Sequence, residues 1–185
     1  MIEIRPLASL SIDKVHEIGG GYTSTARYTV RKVEGVERTV FTLELTPLDS
    51  PYVKRWERSD FQEEERYRQI IAEGHSLGAY DGDQLVGLAI AETRRWNSTL
   101  WVWEFHVAES HRRRGIGRQL MAAVVEEARQ AGLRVVGLET QSTNLPAITF
   151  YRAVGFEIDA LDLSLYTNTD AADGEVAIFM KRKLP

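Results

Sequence analysis

The sequence predicts an α/β (α+β) protein, a mixed and mostly antiparallel central sheet flanked by helices, and three observations carry that prediction. Hairpin patterns fill the first half of the chain. The second half alternates strand, helix, strand, helix and strand. The clearest amphipathic helix begins directly after a strand of alternating side chains, as expected where a helix covers a sheet face. With 185 residues, no internal repeat and no linker-like shift in composition, residues 1–185 read as a single domain.

Residues 2–5 read as a short strand ending at Pro6. β-Branched and aromatic residues dominate 22–46, and Glu34-Gly35 is a turn signal between strands at 28–33 and 36–45. The Gly19-Gly20-Gly21 run lacks the lysine and spacing of a nucleotide-triphosphate loop and reads as a flexible turn. Asp60 followed by Glu63 resembles a capping box, so 61–73 is expected to be helical, with Gly74 as its stop. Asp81-Gly82-Asp83 joins strands at 77–80 and 84–92. In the next strand, 100–107, strict alternation places Trp101, Trp103, Phe105 and Val107 on one face, and Leu100, Val102, Glu104 and His106 on the other. Ile116, Leu120, Met121, Val124, Ala128 and Ala131 recur at helical spacing before Gly132. A strand at 134–140, a short helix at 145–154 and a strand opened by Gly155-Phe156 follow, and 163–167 is expected to pair with 175–182.

The chain has no Cys, which excludes disulfides, thiol nucleophiles, iron–sulfur clusters and thiolate zinc sites. Its 23 Lys and Arg against 27 Asp and Glu give a formal charge of -4, whereas a general nucleic-acid binder reads basic. The four histidines lack ligand spacing, with His16 and His75 isolated and His106 and His111 not at helical intervals, so no metal is expected. The start has no signal-peptide core and no stretch of 18 apolar residues follows, so a cytoplasmic location and no membrane partner are expected. Glu63-Glu64-Glu65 reads as a solvated helix face, or with Glu57, Asp159 and Asp162 as an acidic surface that draws in a polycation.

Chemistry concentrates between His111 and Arg118, where four Arg and two Gly lie between a strand and the clearest helix. Such a loop exposes consecutive main-chain N–H groups, the helix start adds partial positive charge, and Gly permits close approach, so the natural guest is a phosphate. A dinucleotide fingerprint begins at Gly115-Ile116-Gly117 but fails, because Leu120 stands where the third Gly is required.

Arg112-x-x-Gly115-x-Gly117 in that setting resembles the GNAT superfamily of acyl-CoA N-acyltransferases. A second signature of the superfamily appears as Asn144-Leu145-Pro146-Ala147-Ile148-Thr149-Phe150-Tyr151-Arg152-Ala153-Val154-Gly155-Phe156. The resemblance covers about 77–156. Arg95-Trp96-Asn97, Gly137-Leu138-Glu139-Thr140-Gln141, Leu165-Tyr166-Thr167-Asn168 and Gly174-Glu175-Val176-Ala177 look further like the streptothricin acetyltransferases. The motif-bearing core would then be about 77–183, with the strands of 1–60 contributing to the acceptor side.

The resemblance implies a GNAT-like fold, acetyl-CoA as co-substrate without a metal, and a small-molecule amine acceptor of the streptothricin type, acetylated at a β-lysine amine. It places the main chain of His106 and Val107 on the cofactor arm and the thioester carbonyl. It puts the pyrophosphate on Arg112, Arg113, Arg114, Gly115, Ile116, Gly117 and Arg118, with the Arg112 and Arg118 side chains assisting. Asn144 and Ala147 join the cofactor contacts, and Tyr151 protonates the departing thiolate. An amine of pKa about 10.4 needs a proton acceptor at neutral pH. Glu104, the carboxylate in mid-strand, is the candidate, its pKa expected to rise on partial burial. Other amine acceptors (a protein N-terminus or lysine, a polyamine, a metabolite), a CoA-binding module without turnover, and a homodimer are all compatible with the same residues.

Overall fold

The structure, a computed structural model, describes residues 1–56 and 61–185; the expected cap at Asp60 and the Glu57 member of the acidic group lie outside the described residues. In chain order the elements are β1 (Ile2–Pro6), α1 (Ile12–Gly19), β2 (Tyr22–Glu34), β3 (Thr39–Lys54), α2 (Phe61–Ala72), β4 (Leu77–Asp81), β5 (Gln84–Arg94), β6 (Thr99–Val107), α3 (Ile116–Gln130), β7 (Val135–Gln141), α4 (Leu145–Ala153), β8 (Glu157–Asp162), α5 (Asp170–Asp173) and β9 (Ala177–Lys183). They group into two compact units. One comprises Met1–Gly20, Arg55–Leu138 and Arg182–Pro185, and the other Gly21–Lys54 and Glu139–Lys181. Among the described residues no helix is long and apolar enough to cross a membrane.

In the first unit the strand order is β1-β4-β5-β6-β7, antiparallel except for the parallel β6–β7 pair. The helical repeat read from the sequence buries Ile116, Leu120, Met121, Val124 and Ala128 of α3. Ile116 packs with Ala79 and Val86 of the sheet. A separate cluster holds α1 and α2 against β5 through Val15, Ile18, Tyr67, Ile70 and Ile71 with Leu88 and Ile90. Opposite layers thus cover the sheet, and each buried aliphatic side chain contributes roughly 1.5–3 kcal/mol. The helix α1 is an addition to the sequence reading. Its stop is Gly20, whose φ of 54° is left-handed and whose N–H donates to the His16 carbonyl at 3.0 Å.

The second unit contains the β2–β3 hairpin, α4 and the antiparallel β8–β9 pair. The hairpin is longer than the sequence suggests. β3 runs to Lys54 through Pro47 and Pro51, with a register break opposite Ser24 and Ala26. Tyr28 and Val30 of β2 are buried, whereas Phe41 (47% exposed) and Leu45 (53%) on β3 are not. The expected pairing of 163–167 with the last strand is not what forms, since β9 pairs with β8. The reason is local. Asp162 accepts the Ser164 N–H, and Asp170 accepts the N–H groups of Tyr166 and Thr167, so side-chain carboxylates occupy donors that a ladder needs.

Candidate active site

The site is built on the end of β6. Strict alternation fails there, because the register shifts between Ile90 and Ala91. Ile90 faces Glu104 and Ala91 faces Val102, leaving Trp103 as the extra residue of a bulge. On its other edge β6 pairs with β7 only from Thr99 to Val102. The bulge and the end of this ladder coincide, and the bent strand carries Glu104 to Val107 away from the β7 register. Ala108 N–H donates to the Val86 carbonyl at 2.8 Å, which fixes the hydrogen-bonding parity of the segment before it. By that parity the main-chain groups of His106 and Glu104 face β5, and those of Phe105 and Val107 face the open edge. Of the two main-chain positions expected to meet a cofactor arm, Val107 has the available orientation and His106 does not.

The segment following β6 is shaped for an anion. Arg113 is left-handed at φ 62° and Gly115 at φ 81°, and Gly115 caps α3 without any side-chain bond to its first turn. With Gly at this position, no Asp or Ser side chain caps the first turn of α3. A Cβ at Gly115 would meet only Gln119 Nε2, at 3.9 Å, so the approach to this turn is open. Alternating hand along the loop makes a concave nest of N–H groups, and the 15-residue helix adds its positive end. A pyrophosphate fits this donor set. Arg112 departs from expectation: its Nε–H donates to the Val107 carbonyl at 2.9 Å, and a terminal N–H reaches the Gly19 carbonyl at 3.5 Å. Its side chain braces the strand end against the end of α1.

Glu104 sits in a cluster of titratable groups. One oxygen accepts from the Tyr67 hydroxyl and the other is 2.5 Å from His106 Nε2. Burial pushes this carboxyl up. The hydrogen bonds from His106 and Tyr67, with the charges of His106 and His16, outweigh burial and hold it below the usual carboxylate range. The sequence expectation of a raised pKa is thereby corrected, because partners that burial alone does not reveal surround the group. Burial, and then Glu104 and Glu63, push the Tyr67 phenol far up, so it stays a donor. Tyr67 was missing from the sequence reading, which took His16 only as a histidine without metal-ligand spacing. The charge of His16 acts on Glu104, and His75 Nδ1 lies 3.0 Å from Glu127.

In the second unit Asn144 caps α4, its Oδ1 accepting the Ala147 N–H at 3.3 Å. Tyr151, 7% exposed, packs edge-on to Phe150 at 5.4 Å and against Phe156 at 5.8 Å. A polar network not read from the sequence joins Tyr22, Thr143, Glu175, Tyr52 and Lys54, and Tyr166 donates to Glu139. Asp159, expected in an acidic surface, is paired with Lys181 at 2.5 Å.

A bulged strand that parts from its parallel neighbour and runs into a glycine-capped, arginine-rich helix start defines an acyl-CoA transferase scaffold. The model of the acetyltransferase (GNAT) family matches residues 42–156, and the chain belongs to that family. Within it, the chain is 34% identical over 191 aligned residues to the streptothricin acetyltransferase of Streptomyces lavendulae, spanning 99% of this chain and 95% of that one. The crystal structure of nourseothricin acetyltransferase superimposes with a TM-score of 0.76 at 31% identity, covering 100% of this chain and 99% of the other. A structure from Bacillus anthracis str. Ames in complex with acetyl coenzyme A gives a TM-score of 0.77 over 100% and 99% of the two chains, a likeness of fold at 22% identity.

Proposed function

We propose that this chain transfers the acetyl group of acetyl-CoA to a primary amine of a streptothricin-type antibiotic, at its β-lysine part. The observation that carries the reading is the continuous path from the open Val107 edge of β6 through the left-handed loop to the glycine-capped first turn of α3. Ile116, Gly117 and Arg118 would hold the diphosphate through main-chain N–H groups, with Arg113, Arg114 and Arg118 adding charge. The outward-facing Val107 N–H would orient the acyl carbonyl and polarise it. When bound, acetyl-CoA supplies an activated thioester.

The chain's remaining task is proton management. An ammonium of pKa about 10.4 must lose a proton before its nitrogen is nucleophilic, and the Glu104–His106 pair is the group of this unit suited to receive it. Tyr151 would protonate the sulfur, since a phenol with an unperturbed pKa of about 10 keeps its proton at neutral pH. A net charge of -4 suits a polycationic acceptor.

The test is to incubate the protein with acetyl-CoA and streptothricin. Mass spectrometry should show one added acetyl group on the β-lysine side chain. Preference for a protein N-terminus, a peptide lysine or a polyamine over streptothricin would refute the acceptor assignment. Tight acetyl-CoA binding with no thiol release for any amine would refute turnover.

A further inference from the structure

We infer that the His106 imidazole, acting through Nδ1, is the base that takes the acceptor's proton, and that Glu104 and Tyr67 are positioning residues for it. The inference deepens the acetyl-transfer reading and rests on it.

Both oxygens of Glu104 are already engaged, one by the Tyr67 hydroxyl and one by His106 Nε2. A carboxylate held by two donors is stabilised in its ionised form and is a correspondingly weak proton acceptor. The same ionised carboxylate decides the tautomer of its neighbour. It can only accept, so Nε2 carries the hydrogen, and the ring's lone pair lies on Nδ1.

The ring is also fixed in orientation. A Cβ built on Gly19 would lie 3.4 Å from both Cε1 and Nε2 of His106 and 3.5 Å from Cδ2. The end of α1 therefore lies beside the Cε1–Nε2–Cδ2 side of the imidazole. Gly19 is held in turn by Arg112, which bonds its carbonyl and that of Val107. The His106 side chain keeps 18% of its surface exposed, so the ring is not sealed from solvent.

The charged and titratable groups around the pair are Glu104 on β6, Tyr67 and Glu63 on α2, and His16 on α1. Arg112 lies beyond Gly19. In the step itself one proton, with its positive charge, passes from the ammonium to Nδ1. The imidazolium so formed lies against the Glu104 carboxylate and then releases the proton to water. The nitrogen lone pair left behind forms the new bond to the acyl carbon as the carbon–sulfur bond breaks. The sulfur leaves with the electrons of the broken carbon–sulfur bond and takes a proton, and the acylated nitrogen gives up its second proton, so that one proton is released overall.

The experiment compares pH profiles of kcat/KM for streptothricin in the wild type, His106→Gln, Glu104→Gln and Tyr67→Phe, with acetyl-CoA affinity measured by calorimetry on each. His106→Gln should lower kcat/KM by at least ~100-fold and remove the ascending limb, with acetyl-CoA affinity retained because the main-chain donors are unchanged. Glu104→Gln should keep the limb but displace it to lower pH, since the imidazolium loses its counter-charge. Tyr67→Phe should shift the limb less, in the opposite direction, because it frees charge on Glu104. If Glu104→Gln loses the limb while His106→Gln keeps it, Glu104 is the base and the inference is wrong. Nitrogen NMR of the His106 ring gives a readout that needs no turnover: hydrogen on Nε2 supports the assignment and hydrogen on Nδ1 overturns it. A wild-type protein that binds acetyl-CoA yet acetylates no streptothricin would instead overturn the acceptor reading, with the ring assignment still judged by NMR.

Discussion

Gly137→Ala tests the parting of β6 from β7. Gly137 faces Trp101 in the parallel ladder, one residue pair before it ends at Val102 and Leu138. An added Cβ would lie 3.0 Å from both Cε3 and Cζ3 of the Trp101 indole. That ring is 5% exposed, with the Arg94 guanidinium 3.9 Å from its centroid, so it has little room to yield. Overpacking of this kind costs about 1–3 kcal/mol. Replacing Gly by Ala in a strand returns about 0.5–1 kcal/mol. The net is a destabilisation of roughly 1–2 kcal/mol, or a fall in Tm of about 4 °C for a chain of this size. Calorimetric melting measures it, and Trp101→Leu provides the control. In that background the ring is gone, and adding Gly137→Ala should cost less than it does alone. A Tm that is unchanged or raised by Gly137→Ala, or additive costs in the double variant, would refute the idea that ring contact dictates glycine here.

Tyr151→Phe should preserve the fold, because the ring packing on Phe150 and Phe156 survives, and lower kcat roughly 100-fold or more; equal turnover across pH would remove Tyr151 as the proton donor. Arg114→Glu with Arg118→Glu should weaken acetyl-CoA binding about tenfold or more, an effect that shrinks in high salt; calorimetry showing the parental affinity would contradict the placement of the diphosphate. Asn144→Ala removes the α4 cap and should cost about 1 kcal/mol in a urea melt. Asp170 links stability to acid: burial raises its pKa, but the donors from Tyr166 and Thr167 outweigh burial and depress it. Its contribution is thus fully present above the unfolded value of about 3.9 and is lost as pH falls through the folded one. Asp170→Asn should flatten the acid side of a stability–pH curve, and an unaltered curve would exclude this linkage.

The parts of this molecule that follow from short-range patterns were legible. The α3 stripe from Ile116 to Ala128, the Gly132 stop, the Asp81-Gly82-Asp83 turn and the glycine–arginine loop each depend on neighbours within a few residues. What escaped depends on contacts distant in sequence. Glu104 looked like a lone carboxylate because Tyr67 lies 37 positions earlier, and its pKa direction follows from that partner. Alternation along β6 concealed the bulge at Trp103, which is visible only in the register with β5. The helix α1 did leave a signal, since Ile12 and Val15 are spaced for one face and Ser11 precedes them, but eight residues are too few for periodicity to decide. Leu163 to Thr167 misled because apolar and aromatic residues suggested a strand, while Asp162 and Asp170 took the N–H groups a strand would use.

The long hairpin carries a consequence for handling the protein. A ribbon with apolar side chains in solvent invites a neighbouring molecule to add a strand along its rim. In β3 this rim is interrupted, because Pro47 and Pro51 offer no N–H and the register break between them keeps the strand from lying straight. Replacing both prolines with threonine would return two N–H donors to the strand, and the variant should precipitate or form fibrils at lower concentration than the parent chain.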